Sequence, residues 1–232
     1  VIELLRPDEY YTPLGQGTLS SQLYEIGQFF WAPSLFLLDN NRRQAVKSSY
    51  SEGSGEQFRL DPVDLRTEFN QPGDISHPLG IRTDERALVI GAKRRPVIVL
   101  SQAAARWSDA QRRQNDCYLV APVYTFSGDD TRASYSPAFI DRVKGYVYWQ
   151  FFYLPPRGNT GRSGRIRESF VRLDRIQVVH KDLLDHMPVR LSDQVMALLR
   201  EWIRVYMGEN LQDVNDILFD YREDAIRQLS GR

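Results

Sequence analysis

The chain has 232 residues, 30 basic and 30 acidic side chains, 42% apolar residues and a mean hydropathy of -0.45. That profile excludes wholesale disorder and collagen-like repeats, and it leaves enough chain to bury a core in one large or two small domains. The longest apolar runs, Val97 to Leu100 and Tyr146 to Leu154, fall far short of the roughly 20 residues that span a bilayer, so no membrane segment is expected.

Gly27 to Leu38, GQFFWAPSLFLL, predicts the first clear strand, with Pro33 marking an edge or a kink. Residues 39 to 84 are polar and rich in Gly, Ser and Pro, which reads as a long insertion with a short helix around Pro62 to Phe69 or else local disorder. Strand character returns at Ala87 to Ile90, Pro96 to Ser101 and Cys117 to Thr125, and the last two should form the core of a sheet. Between them, AAARWSDAQRRQND is compatible with a helix.

A polar stretch from Gly128 to Ser136 leads to Val143 to Leu154, where GYVYWQFFYL has the strongest β disposition in the chain. Pro155 and Pro156 stop it, and RGNTGRSGRIR follows as a hinge. Glu168 to Val179 then alternates apolar and polar residues with period two, as a half-buried strand does. At Ser192 the period changes. Val195, Met196, Leu198, Leu199, Trp202, Ile203 and Tyr206 recur at helical spacing until Gly208, and a second helix begins at Asn210 or Asp213.

The lone Cys117 cannot form an internal disulfide, and three scattered histidines provide no zinc-ligand spacing, so neither a metal nor another cofactor is expected. Without a basic n-region followed by an apolar core, a cytoplasmic location is expected. No Gly-rich phosphate loop, HExxH or G-x-S-x-G occurs, which sets aside nucleotide-fold, zincin and serine-hydrolase chemistry. The charge is unevenly placed: residues 157 to 175 hold six arginines against Glu168 and Asp174, whereas 209 to 224 hold six acids against Arg222.

The order of these segments resembles the MazF/PemK family of toxin ribonucleases from bacterial toxin-antitoxin modules. GQFFWAP is similar to the family's opening strand, with Gln28 where Asp is usual. KRRPVIVLS resembles its basic-Arg-Pro strand entry, and CYLVAPVYTFS its third strand. VKGYVYWQFFYL is similar to the strand that begins Lys-Gly-Tyr-Pro in some members. Leu173 to Val178 occupies the place of the Ala-Asp-Gln-Val-Arg/Lys-Ser signature, and LSDQVMALLREWIRVYM resembles the closing helix. The likeness spans residues 25 to 38 and 87 to 207.

The resemblance implies a mainly β (α+β) chain built on a small, bent antiparallel SH3-like barrel with long insertions and C-terminal helices. Its domain reading is an N-terminal arm over 1–24, a barrel over 25–207 carrying the insertion 39–84, and an acidic C-terminal helix over 208–232. It further implies metal-independent cleavage of single-stranded RNA by 2′-hydroxyl attack to a 2′,3′-cyclic phosphate, a cognate antitoxin and a homodimer.

That chemistry needs in-line geometry, donors on the phosphorane oxygens and a proton for the departing 5′-oxygen. Arg95 matches the family's catalytic Arg before Pro, and a guanidinium suits the place because its forked donors reach two phosphate oxygens while it stays charged. The family's hydroxyl at the end of the third strand falls on Tyr124 or Thr125, and a slip of one residue turns the side chain to the other face. Arg94, Lys144, Arg175 and Gln177 are candidates for the RNA groove, with Trp31, Tyr146 or Trp149 as stacking platforms. Each has a plainer reading: solvated charges for the cations, and core packing for the aromatics. A different class also remains open, a noncatalytic barrel module that binds a protein partner or nucleic acid. The acidic tail invites the idea that the last helix folds near residues 157 to 175 and restrains them; a solvated helix packed by its apolar side is the plainer account.

Overall fold

The computed structural model describes residues 7, 9–14, 24–36, 44–51, 57–64, 88–89, 91–102, 117–126, 135–158, 165–209 and 216–230. They form a mainly antiparallel β protein with a few helices. Its strands are β1 (Tyr11–Pro13), β2 (Gln28–Phe36), β3 (Gln44–Ser51), β4 (Gln57–Asp64), β5 (Leu88–Val89), β6 (Gly91–Gln102), β7 (Cys117–Thr125), β8 (Phe151–Leu154), β9 (Ser169–Arg172), β10 (Gln177–His180) and β11 (Asp185–Leu191). The helices are α1 (Pro137–Lys144), α2 (Asp193–Tyr206) and α3 (Asp216–Ser230). None of them is long and apolar enough to cross a membrane.

The chain divides into two compact units, Pro33–Lys93 and the remainder, and the division falls within β2 and β6. In the smaller unit, β3 and β4 pair antiparallel over their whole length and β5 adds to β3. The polar stretch is therefore partly a hairpin, and the helix expected around Pro62 to Phe69 is replaced over Pro62–Asp64 by the end of β4. The Gly/Ser/Pro content conceals the short alternation Phe58, Arg59, Leu60 that a strand needs. The helix-compatible run 103–116 lies outside the described residues.

The larger unit contains a sheet in the order β1-β11-β2-β6-β7-β9-β8, with β10 also pairing with β7. β9 and β10 share one edge of β7: β10 pairs as far as Val120 and β9 from Val123. Pro122 sits in that gap, where one edge of β7 lacks a ladder partner and a missing N–H is tolerated. Pro33 likewise follows the last β2 residue paired with β11, Trp31. Gly27, at φ +86°, makes the turn into β2 that most side chains resist, and its carbonyl accepts from Leu191 N at 2.9 Å.

Period-two alternation divides the buried residues between the two faces. One face carries Ile98, Leu100, Ala121, Val123, Phe152, Val171 and Val189, and α2 covers it with Val195, Leu199 and Trp202. Trp202 is 1% exposed, and its indole N–H donates to the Phe151 carbonyl at 2.9 Å. Ser192 caps α2 by accepting from Val195 N, as its sequence predicts. The other face carries two smaller clusters. Phe30, Val97, Val99, Tyr118, Val120 and Val179 form one, and Phe126, Val143, Phe151 and Phe170 form the second under α1.

Two expected strands are broken. Within Val143 to Leu154, only Phe151–Leu154 is strand; Val143 and Lys144 end α1, which Ser136 caps and Pro137 begins. Tyr146 follows at φ 53°, held there by a buried ring set edge-on to Trp202 at 5.2 Å. Glu168 to Val179 is interrupted by a 3-10 turn, Leu173–Arg175, that shifts the chain from the β9 to the β10 position beside β7. β11 has no clear signature in the sequence, because Pro188 hides the alternation of Met187, Val189 and Leu191.

Candidate functional site: an arginine pair on Tyr124

On the face that carries the two smaller clusters, polar residues fill the space between them. The β6–β7 ladder sets Val97 opposite Pro122, and two residues beyond that pair, Arg95 and Tyr124 fall on the same face. On the other side of β7, Tyr124 is opposite Phe170 and Arg172 lies one step diagonal to it. Gln177 faces Val120 from β10, two residues along the same face of β7. Antiparallel pairing thus places Arg95, Tyr124, Arg172 and Gln177 on one face, from four strands.

The side chains meet as that register dictates. The Arg95 guanidinium carbon lies 4.1 Å from the Tyr124 ring centroid, and that of Arg172 lies 5.3 Å from it. Tyr124 stacks on Phe170 at 5.9 Å and 26°. Tyr135, just before the α1 cap, stacks on Phe139 at 4.8 Å and sets its ring edge-on to Phe170 at 5.5 Å.

The two cations are held differently. Asp174, in the 3-10 turn, accepts from both Nε and a terminal nitrogen of Arg172, and this pairing leads in raising that guanidinium's pKa. Arg95 has no carboxylate partner among the described residues, and its Nε is buried without a hydrogen-bond acceptor. A buried donor left unmade costs on the order of 1–3 kcal/mol. Burial raises the Tyr135 pKa, although Arg172 and Arg95 oppose it. Desolvation wins, so the phenol keeps its proton beside two positive charges.

Of the two candidates for the third-strand hydroxyl, Tyr124 meets Arg95. Thr125 pairs with Ser169 and lies on the opposite face, with Ala121 and Val123. Arg94 is also on that opposite face, where it pairs with Asp185 and stands 5.8 Å over Trp31. Lys144 ends α1 and binds Glu168 at 2.6 Å. Arg175 adjoins Asp174 at 4.0 Å, beside the cluster. The aromatic platforms other than Trp31 are occupied: Tyr146 is buried, and Trp149 is covered by Arg222 at 3.8 Å. Arg172 and Tyr135 are additions. Alternation of Phe170 with Arg172 marks the first in the sequence, whereas Tyr135 lies in a stretch with no periodic signal.

No protein-family model matches the chain, and no curated protein gives a significant match. Among the described residues, no three His, Cys, Asp or Glu side chains gather as a metal cage. The described contacts of α3 run to α1 and residues 145–149: Tyr221 meets Tyr146 edge-on at 6.3 Å, and Arg222 donates to the Val147 carbonyl.

Proposed function

We propose that this face binds single-stranded RNA and that the protein is a metal-independent endoribonuclease toxin, on a bent barrel of the MazF/PemK type. The observation that carries the reading is Arg95: a guanidinium fixed on Tyr124, with no neutralising carboxylate among the described residues. A phosphodiester supplies the missing negative charge and two acceptor oxygens. In this reading the 2′-oxygen attacks phosphorus, Arg95 and Arg172 hold the non-bridging oxygens, and the P–O5′ bond breaks to leave a 2′,3′-cyclic phosphate. A cognate antitoxin and a homodimer belong to the same proposal.

One observation favours a second reading, a noncatalytic module on the same face. The carboxylate nearest the arginine pair, Asp174, is bound at both oxygens by Arg172 and is not presented as a free base. Incubation with mixed-sequence RNA in chelator separates the two. Ribonuclease action predicts cyclic-phosphate ends that Arg95→Ala abolishes; binding without cutting, lost in Arg95→Ala, supports the module; cutting indifferent to that substitution overturns both.

A further inference from the structure

We propose that Tyr135 donates the proton taken up by the departing 5′-oxygen, a role that rests on the ribonuclease reading of this face. A tyrosine immediately before the cap of α1 would ordinarily be a loop residue. Here three aromatic neighbours hold its ring: Phe139 stacked at 4.8 Å, Phe170 edge-on at 5.5 Å and Phe126 edge-on at 6.2 Å. Phe170 also carries Tyr124, so both tyrosines are referenced to the same ring, and Arg95 and Arg172 act electrostatically on the Tyr135 hydroxyl. Tyr135 is 37% exposed, so it stands at the open side of the ring cluster that also carries Tyr124.

The other groups of the cluster are less suited to proton donation. A guanidinium does not give up its proton in a protein, which sets the arginine pair aside, and Tyr124 has its ring beneath both of them. Asp174 has both oxygens engaged as acceptors from Arg172 and is not turned toward a leaving group. Tyr135 combines a retained proton with an anchored, accessible position. In the proposed step the 2′-oxygen loses its proton to water and forms the new bond to phosphorus. The electron pair of the P–O5′ bond goes to the 5′-oxygen, which takes the Tyr135 proton, and water then reprotonates the phenolate.

The test uses a leaving group that needs no proton. The linkage cut in mixed-sequence RNA is identified first, then prepared with either oxygen or sulfur at the bridging 5′ position, and single-turnover rates are measured in chelator. Tyr135→Phe keeps every ring contact, and an unchanged urea midpoint confirms its fold. Loss of a proton donor predicts a rate about 100-fold lower on the oxygen substrate, with unchanged RNA affinity, and a rate within about threefold of wild type on the sulfur substrate. Arg95→Ala, which removes a phosphate ligand, should slow both substrates. An undiminished rate of Tyr135→Phe on oxygen, or an equal loss on oxygen and sulfur, overturns the role of Tyr135 while leaving the ribonuclease reading intact. Failure of the wild-type protein to cut either substrate overturns both.

Discussion

The Arg95 guanidinium lies over the Tyr124 ring, its carbon 4.1 Å from the ring centroid, because both residues fall on one face of adjacent strands two positions beyond the Val97–Pro122 pair. The ring's quadrupole attracts the cation, and Phe170 supports the ring from behind. Tyr124→Phe should preserve the stack and the stability of the fold. Tyr124→Leu should lose about 1 kcal/mol, the scale of a half-buried cation–π contact, measured as a lower urea midpoint. Equal stability of the two variants would mean that the stack holds nothing.

The opposite placement of Thr125 distinguishes the two registers left open by the sequence. Thr125→Val retains the β-branched shape that a strand prefers and removes only the hydroxyl. It should leave RNA binding and cleavage within about twofold of wild type, whereas Arg95→Ala should cost about 100-fold or more, the scale for deleting one transition-state donor. A large loss in Thr125→Val would place the reacting phosphate on the other face of the sheet.

The parts of this fold that are legible in sequence are those whose local pattern and tertiary role agree. β6 and β7 bury short continuous apolar runs and α2 a helical-period set, and their positions follow from these patterns. The stretch from Val143 to Leu154 misleads because its β-favouring aromatics serve two purposes. Tyr146 and Trp149 pack in a turn against Trp202, and only the last four residues extend. Tertiary packing overrides propensity there. The site divides in the same way. Arg95 can be found from its neighbours Lys93 to Ser101, but whether it meets Tyr124 or Thr125 is a matter of cross-strand register, which no single segment encodes. Tyr135 is brought in by α1, an element whose start, Ser136-Pro137, is a legible cap and N1 pair overshadowed by the β-rich run behind it.

Glu168 should make the fold sensitive to acid. Burial alone would raise its carboxyl, but hydrogen bonds from Lys144 and Tyr153, with the Lys144 charge, outweigh it and hold the pKa below its usual 4.5. A carboxyl depressed in the folded state stabilises fully above its unfolded pKa, and that contribution is lost as pH falls through the folded value. The urea midpoint of the wild-type protein should therefore drop between about pH 6 and about pH 3, and the drop should be smaller in Glu168→Gln, which titrates no carboxyl there. Identical profiles for the two would show that the Lys144–Glu168–Tyr153 contacts contribute nothing to stability.

Close approach at Gly145 fixes where α3 docks. Its backbone, at φ -81° and ψ 6°, is ordinary for any residue, so the demand for glycine is one of space. A Cβ there would lie 2.7 Å from the Ala225 Cβ. Both atoms are at the root of their side chains and no rotamer separates them, so Gly145→Ala must lift α3 or shift the end of α1. Overpacking of this kind costs about 1–3 kcal/mol, and the Tyr221 and Arg222 contacts to Tyr146 and Trp149 are the ones it loosens. Ala225→Gly removes the facing methyl at a cost of about 1 kcal/mol in helix propensity. The double variant Gly145→Ala/Ala225→Gly should then be more stable than the sum of the two single losses predicts, because the second change relieves the clash created by the first. Urea midpoints give the coupling, and limited proteolysis across Asp216–Ser230 shows whether the helix is lifted in Gly145→Ala and restored in the double variant. Strict additivity, with no added cleavage in Gly145→Ala, would mean that α3 does not rest on Gly145.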